Sequence, residues 1–480
     1  MSFHNFAPPI HFVGIGGAGM SSIAEFLRDA GFAVQGSDTA EGYNIQRLRQ
    51  LGIQVGLGHD PANLADAQTV VFSSAIHQDN PELISARMRS IPAIHRVDML
   101  AELMQSKKSI VVGGTHGKTT TTSMIAALLE ASGLAPTIIT GGVMNAYNSG
   151  AKLGSGKWMV VESDESDGSF IKLPAEAVVV TNISKEHLSH YGSFENMQEA
   201  FKRFIENIPA HGFAVLCADH PVVQRLSTQI KDRRIVTYSL DRKAEVSCCD
   251  IVSGMGFSKF TVQISGYEDG QSITIPGLEI EALGRHNVSN ACAAIAVAKQ
   301  LGSSPDMILQ GLKQFKGVRR RFTHTGTHNG IQVFDDYGHH PSEISAVLEA
   351  ANAATGSKNK NGRLIAIVQP HRYSRVAGLF DEFCQAFGHA DYVLVTDVYA
   401  AGEEAMSGIS KYSLVKEMKD RGHLGGLVVE EMSDLPSMVF EIARPGDYVI
   451  LFGAGDITEY AYKLPNQLAS LSANGWKQKA

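Results

Sequence analysis

The chain has 480 residues, 44% hydrophobic and 19% charged, which is enough apolar side chain to bury real cores and excludes a disordered protein. The formal charge is -7, from 42 Lys+Arg against 49 Asp+Glu, so a basic field for nucleic acid or an anionic membrane is excluded too. Glycine is in excess at 47 residues, but with 16 prolines and no Gly-X-Y period the excess is not collagenous. At roughly 100–200 residues per domain, the length predicts about three domains.

The first apolar run, Ile10–Val13, predicts a strand. It ends in Gly14-Ile15-Gly16-Gly17-Ala18-Gly19, which fits G-x-G-x-x-G. A helix pattern follows, with Met20, Ile23, Ala24, Leu27 and Ala30 at helical spacing and Gly31 as its stop. A second apolar stretch, Phe32–Gln35, ends in Gly36-Ser37-Asp38. Strand, glycine loop, helix, strand and acid make up a nucleotide-binding unit. A pyrophosphate would sit at the helix start, and Asp38 is placed to accept from a ribose hydroxyl. Taken alone, this motif suits an NAD-dependent dehydrogenase, or merely a tight turn.

Ser109–Val112 reads as a buried strand, followed by Gly113-Gly114-Thr115-His116-Gly117-Lys118-Thr119-Thr120 and a helix with Met124, Ala127 and Leu128 on one face. Gly-Lys-Thr between strand and helix is the core of a P-loop. Its N–H groups wrap phosphates, Lys118 neutralises them, and the Thr119 hydroxyl reaches Mg²⁺. The common form has glycine five residues before Gly117, where this chain has Val112, so the loop is short. A P-loop uses a γ-phosphate, which hydride transfer does not need. That weakens the dehydrogenase and leaves a P-loop ATPase acting as a switch or scaffold as another reading.

The next strand, Trp158–Val161, ends in Glu162-Ser163-Asp164-Glu165-Ser166-Asp167. Four acids in six residues repel one another unless a cation or solvent relieves them. Ala177–Val180 then runs into Thr181-Asn182-Ile183-Ser184-Lys185-Glu186-His187. A lone histidine is commonly structural, but ligands collect at the carboxyl ends of parallel strands, which draws His187 towards the metal. From Arg234 to Glu281 the texture is β-rich, with alternation at Phe260–Ile264 and Ser272–Ile275 and a turn at Asp269-Gly270. It predicts a small flanking sheet. Asn287 and Asn290 follow, one turn apart at the start of a helix, able to meet a base edge or cap the helix.

Lys316-Gly317-Val318-Arg319-Arg320-Arg321 is a compact basic run, either a solvated turn or an arginine contact to phosphate. Strands are then predicted at Ile331–Phe334, Leu364–Val368, Tyr392–Val395 and Tyr448–Phe452. The first two end in Asp335-Asp336-Tyr337-Gly338-His339-His340-Pro341 and Gln369-Pro370-His371-Arg372-Tyr373-Ser374-Arg375. The last ends in a third glycine cluster, Gly453-Ala454-Gly455-Asp456. The tract Gly356–Arg363 reads as a surface loop. This is a third α/β unit with a site along its carboxyl edge.

In this order the motifs resemble the Mur ligase family, ATP-dependent amide-forming enzymes of bacterial peptidoglycan synthesis. The likeness spans nearly the whole chain, and Val112 in the P-loop is what that family shows. His11–Ser21, Ser73-Ser74-Ala75-Ile76, Glu162–Asp167, Asp335–Pro341 and Gln369–Arg372 look like the branch that joins L-alanine to the lactyl carboxylate of UDP-N-acetylmuramate through an acyl phosphate. The alternative is the branch adding a recycled tripeptide to the same nucleotide sugar.

The resemblance implies an α/β fold of three domains. These are a Rossmann-like nucleotide-sugar domain (1–107), a P-loop domain with a small flanking sheet (108–322) and a Rossmann-like ligase domain (323–480). It implies that Gly16, Gly17, Ala18, Gly19, Met20, Ser21, Asp38, Ser73, Ser74 and Ala75 hold the UDP-sugar rather than NAD. Gly114 to Thr120 would hold ATP, with Asn287 and Asn290 at the adenine and Arg320 or Arg321 at the γ-phosphate. Thr119, Glu162 and His187 would surround magnesium, with manganese as a substitute. Tyr337, His339, His371, Arg372 and Arg375 would line the amino-acid side. Lys118, Glu162, His187, His339 and Arg372 are the expected catalytic set, with His339 or His371 tuned near neutral pH to take the ammonium proton. Related ligases carry a carbamylated lysine, and here Phe201 occupies that position beside Lys202.

Five sparse cysteines (Cys217, Cys248, Cys249, Cys292, Cys384) form no CxxC pair. No apolar run nears the ~20 residues of a membrane span, and residues 1–9 carry no signal-like pattern. The expectation is a cytoplasmic protein, monomeric or a weak homodimer, without nucleic-acid partners or membrane insertion.

Overall fold

The computed structural model describes residues 6–266, 270–355 and 362–473, so Asp269 of the predicted turn and most of the predicted loop from Gly356 lie outside the described residues. The chain divides into two compact units. One comprises residues 1–250, 260–279 and 288–318, and the other residues 251–259, 280–287 and 319–480.

The first unit opens with a five-stranded sheet of β1 (Ile10–Val13), β2 (Val34–Asp38), β3 (Gln54–Leu57), β4 (Thr69–Phe72) and β5 (Ala93–His95). The order is β3-β2-β1-β4-β5, with every pair parallel. β1 is hydrogen-bonded on both sides, so the loops after β1 and β4 flank the point where strand order reverses, the usual place for a ligand. The second strand runs on from the apolar stretch through Gly36 to Asp38. A Cβ at Gly36 would stand 2.6 Å from the Phe12 carbonyl oxygen and 2.7 Å from Ile15 Cδ1, so glycine there serves close strand approach.

Beneath this sheet Glu82 is fully buried and accepts from Ser37 Oγ (2.6 Å), Asn63 Nδ2 (2.6 Å) and the Asp60 N–H (3.3 Å), with His11 Nε2 at 3.3 Å. Burial alone would raise its pKa, but hydrogen bonds from His11, Ser37 and Asn63 outweigh it and hold the carboxyl at about 2. A depressed carboxyl stabilises the fold above its unfolded pKa and loses that contribution as pH falls through the folded value. Glu82→Gln should therefore cost about 2 kcal/mol at pH 7 after screening, with the gap to wild type closing as pH falls from about 5 towards 2. Denaturant titrations at several pH values measure this, and a gap independent of pH would refute it.

The central sheet holds β6 (Lys108–Gly113), β7 (Thr137–Met144), β8 (Ser149–Lys152), β9 (Trp158–Glu162), β10 (Ala177–Val180), β11 (Phe213–Cys217), β12 (Arg234–Ser239), β13 (Val246–Gly254), β14 (Phe257–Ile264) and β15 (Ile273–Ile280). Their order is β15-β14-β13-β12-β11-β10-β6-β9-β7-β8. β6 lies parallel between β10 and β9, and their apolar runs are buried because helices cover both faces of such sheets. The β-rich stretch flanks this sheet by continuing it, starting with β13 parallel to β12.

The second unit carries β16 (Thr323–His328), β17 (Ile331–Asp336), β18 (Leu364–Val368), β19 (Tyr392–Val395), β20 (Gly426–Val428) and β21 (Tyr448–Phe452), in the order β16-β17-β21-β18-β19-β20. Only β16 pairs antiparallel among them. Two apolar cores pack on the two faces of this sheet, one around Leu348, Phe387 and Phe452, the other around Ile367, Leu451 and Leu464. Among the described residues no helix is long and apolar enough to cross a membrane.

Candidate functional site

At the first sheet's carboxyl edge, the Gly16 N–H donates to Asp38 Oδ2 (2.8 Å) and its carbonyl accepts from Asn44 Nδ2 (2.8 Å). Asp38, predicted to meet a ribose, thus also clamps the glycine loop. Ala18 and Gly19 open the helix Ala18–Asp29, which buries Met20 and Ser21. Ser73, Ser74 and Ala75 follow β4, and Ile76 packs against Gly14 (Cδ1 3.2 Å from where a Cβ would stand). Beyond β9, burial pushes the Asp167 carboxyl up, but Ser169, with Ser74 adding to it, holds it below its usual value. Arg96 went unpredicted. It donates to Asp164 Oδ2 (2.8 Å) and lies beside Gly19, so one guanidinium joins the glycine loop to the acidic turn. Burial pushes the Asp164 carboxyl up, but Arg96 and Ser166 bring it below its usual value.

The P-loop follows β6 and is stapled to the segment after β10. The Thr115 N–H donates to the Asn182 carbonyl (3.0 Å) and the His116 N–H to Asn182 Oδ1 (2.9 Å). The His116 carbonyl accepts from Thr181 Oγ1 (2.7 Å) and Asn182 Nδ2 (2.9 Å). Gly117 adopts φ 83°, which a side chain resists, and a Cβ there would stand 2.5 Å from Asn290 Oδ1. This places predicted Asn290 against the loop. The Asn287 amide N–H donates to the Leu283 carbonyl (2.8 Å), which precedes its helix Arg285–Gln300.

The helix Lys118–Ala131 starts with Lys118 folded over the loop. Its Nζ donates to the Gly114 carbonyl (2.6 Å), the Thr115 carbonyl (3.1 Å) and Glu165 Oε1 (2.9 Å). Burial, with Asp164 alongside, raises the Glu165 carboxyl, and the Lys118 charge opposes the rise. Thr119 Oγ1 donates to Glu162 Oε1 (2.8 Å), whose other oxygen accepts from the Gly141 N–H (2.6 Å). Thr120 is buried behind them. His187 sits at φ 54°, with Nε2 3.9 Å from Glu165 Oε1 and 3.6 Å from Glu186 Oε2. Three adjacent strands therefore bring Lys118, Thr119, Glu162 and His187 to one place. Glu165 was missed as an individual residue, since nothing in the acidic run ranks one acid above another. Phe201 is buried against Phe170, whose ring also meets Phe204, and Lys202 lies 3.9 Å from Glu206.

In the second unit Arg320 reaches across two strand ends. It donates to the carbonyls of Gly453 (2.6 Å) and Gly455 (3.1 Å), and its guanidinium lies 4.9 Å from the Tyr337 ring centroid. Arg321 lies 5.4 Å from the same ring and donates to Glu343. The rings of Tyr337, His339, His371 and Tyr399 form a chain with centroid spacings of 5.3, 5.6 and 5.5 Å. Arg375 Nη1 is 3.3 Å from His371 Nδ1. The Arg372 N–H donates to the Tyr399 carbonyl (2.9 Å). The histidines are not tuned near neutral pH as expected. Burial takes His339 down to about 4, and burial plus the charges of Arg375, Arg372 and Arg320 and a charged His339 takes His371 to about 3. Both imidazoles are neutral at pH 7.

Family descriptions match three stretches: "Mur ligase family, catalytic domain" at residues 9–108, "Mur ligase middle domain" at 112–298 and "Mur ligase, glutamate ligase domain" at 320–455. A UDP-N-acetylmuramate–L-alanine ligase from Methylobacterium nodulans is 53% identical over 98% of this chain and 99% of its own. The crystal structure of a UDP-N-acetylmuramate-alanine ligase from Thermotoga maritima is 30% identical, with TM-score 0.81 over 96% of this chain and 99% of that one. A murein peptide ligase from Psychrobacter arcticus shares the fold at 24% identity and TM-score 0.73, covering 96% and 98%.

Proposed function

The chain belongs to the Mur ligase family, and from that premise we propose that it joins L-alanine to the lactyl carboxylate of UDP-N-acetylmuramate, converting ATP to ADP and phosphate. The observation that carries this reading is the convergence of Lys118, Thr119, Glu162, Glu165 and His187 at three adjacent strand ends. The alanine-named relative at 53% identity favours L-alanine over the recycled tripeptide.

In this reading a lactyl oxygen attacks the γ-phosphorus, the bond to the bridging oxygen breaks, and ADP leaves. The free amine of L-alanine attacks the acyl phosphate, and a tetrahedral intermediate expels phosphate. Two anions meet in the first step, so neutralising charge dominates the barrier. Lys118 exchanges its loop carbonyls for phosphate oxygens, and the stapled loop presents N–H groups already in place.

The donors at this edge fit magnesium, or manganese in its place. Thr119 and Glu162 offer hard oxygens 2.8 Å apart, and Glu165 Oε2 is buried without a hydrogen-bond partner among the described residues. Thr119 and Glu162 would hold the ion with His187 beside them, and it would supply charge neutralisation at the phosphates.

Gly16 to Ser21, with Asp38 and Ser73 to Ala75, take the UDP-sugar. Asn287 and Asn290 face the adenine, and Arg320 and Arg321 serve the γ-phosphate. Tyr337, His339, His371, Arg372 and Arg375 take the amino acid. With pKa values of about 4 and 3, His339 and His371 act as hydrogen-bond acceptors for the amine rather than as proton sinks. The same reading puts the reaction in the cytoplasm, since the proposed substrates are nucleotides. Heavy oxygen in the lactyl carboxylate tests the path: the acyl-phosphate route delivers one labelled oxygen to the released phosphate, and unlabelled phosphate would defeat it.

A further inference from the structure

The third glycine cluster follows β21, and no step above uses it. Its carbonyls accept from Arg320, and its backbone touches a ring from another strand end. A Cβ on Gly455 would stand 2.7 Å from both Cγ and Cδ2 of Tyr399 and closer still to Gln369 Oε1, so any side chain there crowds that ring together with the Gln369 amide. Tyr399 follows β19 and is locked by its own backbone. Its N–H donates to the Pro370 carbonyl (2.8 Å), and its carbonyl accepts from the Arg372 N–H (2.9 Å). That pairing lays the ring parallel to the His371 imidazole, with centroids 5.5 Å apart and planes at 11°. Tyr399 is nevertheless 38% exposed. The other neighbours of His371 are His339, with its ring at 5.6 Å, and Arg375 at 3.3 Å.

The geometry points to Tyr399, seated by Gly455, as a specificity-determining wall of the amino-acid site, fixing the plane of His371 and limiting the side chain that fits beside it. This rests on the reading of His371 and its neighbours as the amino-acid site. A two-torsion aromatic ring is a rigid boundary, and one extra methylene against such a boundary is what a small-residue site must refuse. Gly455 has a second role here. Arg320 grips its carbonyl, so the arginine assigned to phosphate also braces the wall.

The test compares kcat/KM for L-alanine and L-α-aminobutyrate, which has one more methylene. Tyr399→Leu should reduce the preference for L-alanine about tenfold and raise its KM, with the KM for ATP unchanged. Gly455→Ala, which crowds the ring as well as the Gln369 amide, should do the same, while Tyr399→Phe keeps the preference within about twofold because the ring remains. If Tyr399→Leu fails to fold, Gly455→Ala and Tyr399→Phe still decide. His371→Ala separates the two levels. If it raises the alanine KM while the Tyr399 and Gly455 variants keep the preference, the wall is overturned and the site stands. If it also leaves alanine kinetics unchanged, the amino-acid reading of this edge falls and the wall falls with it.

Discussion

Replacing Lys118 with alanine is expected to lower ATP-dependent amide formation by about 10³-fold, the scale of losing a preorganised charge at a transition state. The ammonium already sits at the mouth of the P-loop, bound to two loop carbonyls and Glu165. No other lysine or arginine takes part in the hydrogen bonds described for this loop. The protein should still fold. Glu165 loses its cation, but burial already raises its pKa, so it takes up a proton rather than remaining a buried anion. Phosphate release should therefore collapse while the thermal midpoint moves little. Near-normal release from Lys118→Ala would remove the P-loop assignment.

Replacing Arg320 with alanine should cost both stability and catalysis. Asp335 is fully buried, its Oδ2 lies 3.7 Å from Arg320 Nε, and otherwise it accepts from Thr458 Oγ1 at 2.6 Å. Without the guanidinium a buried carboxylate loses its countercharge, which costs about 3–5 kcal/mol. Burial holds the Asp335 pKa above its usual value despite Arg320, so charged Asp335 opposes folding more as pH rises. The penalty should therefore shrink as pH falls towards the acid range, and Asp335→Asn should recover part of it at pH 7. Arg320→Lys restores charge but not the two-carbonyl grip on Gly453 and Gly455. Urea titrations of the three variants check this, and a penalty that persists unchanged in Arg320→Ala/Asp335→Asn would refute it.

The strand pattern was largely legible because parallel strands are buried on both faces and read as unbroken apolar runs. Ile10–Val13, Ala177–Val180, Leu364–Val368, Tyr392–Val395 and Tyr448–Phe452 are strands to the residue. β2 runs Val34–Asp38 rather than over the apolar stretch Phe32–Gln35, because the fit of Gly36 inside a strand shows only once the Phe12 carbonyl beside it is known. β3, β5 and β20 are short, and little in their own composition marks them.

The site was legible where chemistry is concentrated in one motif, as in Gly114 to Thr120. It was not legible where a residue acts through a distant partner. Arg96 matters because Asp164 meets it, Asn182 because His116 does, and Tyr399 because Gly455 leaves room for it. The histidine pKa values were misjudged for a related reason. His339 and His371 are polar letters in the sequence, and their titration is set by the burial and the arginines that folding gathers around them.

The central claim is that phosphate release is coupled to L-alanine. The direct measurement incubates the protein with ATP, magnesium and UDP-N-acetylmuramate, and follows phosphate on adding L-alanine, glycine, L-serine or the recycled tripeptide in separate reactions. L-alanine should stimulate release most strongly and yield the alanyl product in equal amount. Release that ignores L-alanine, or answers only to the tripeptide, would contradict the account.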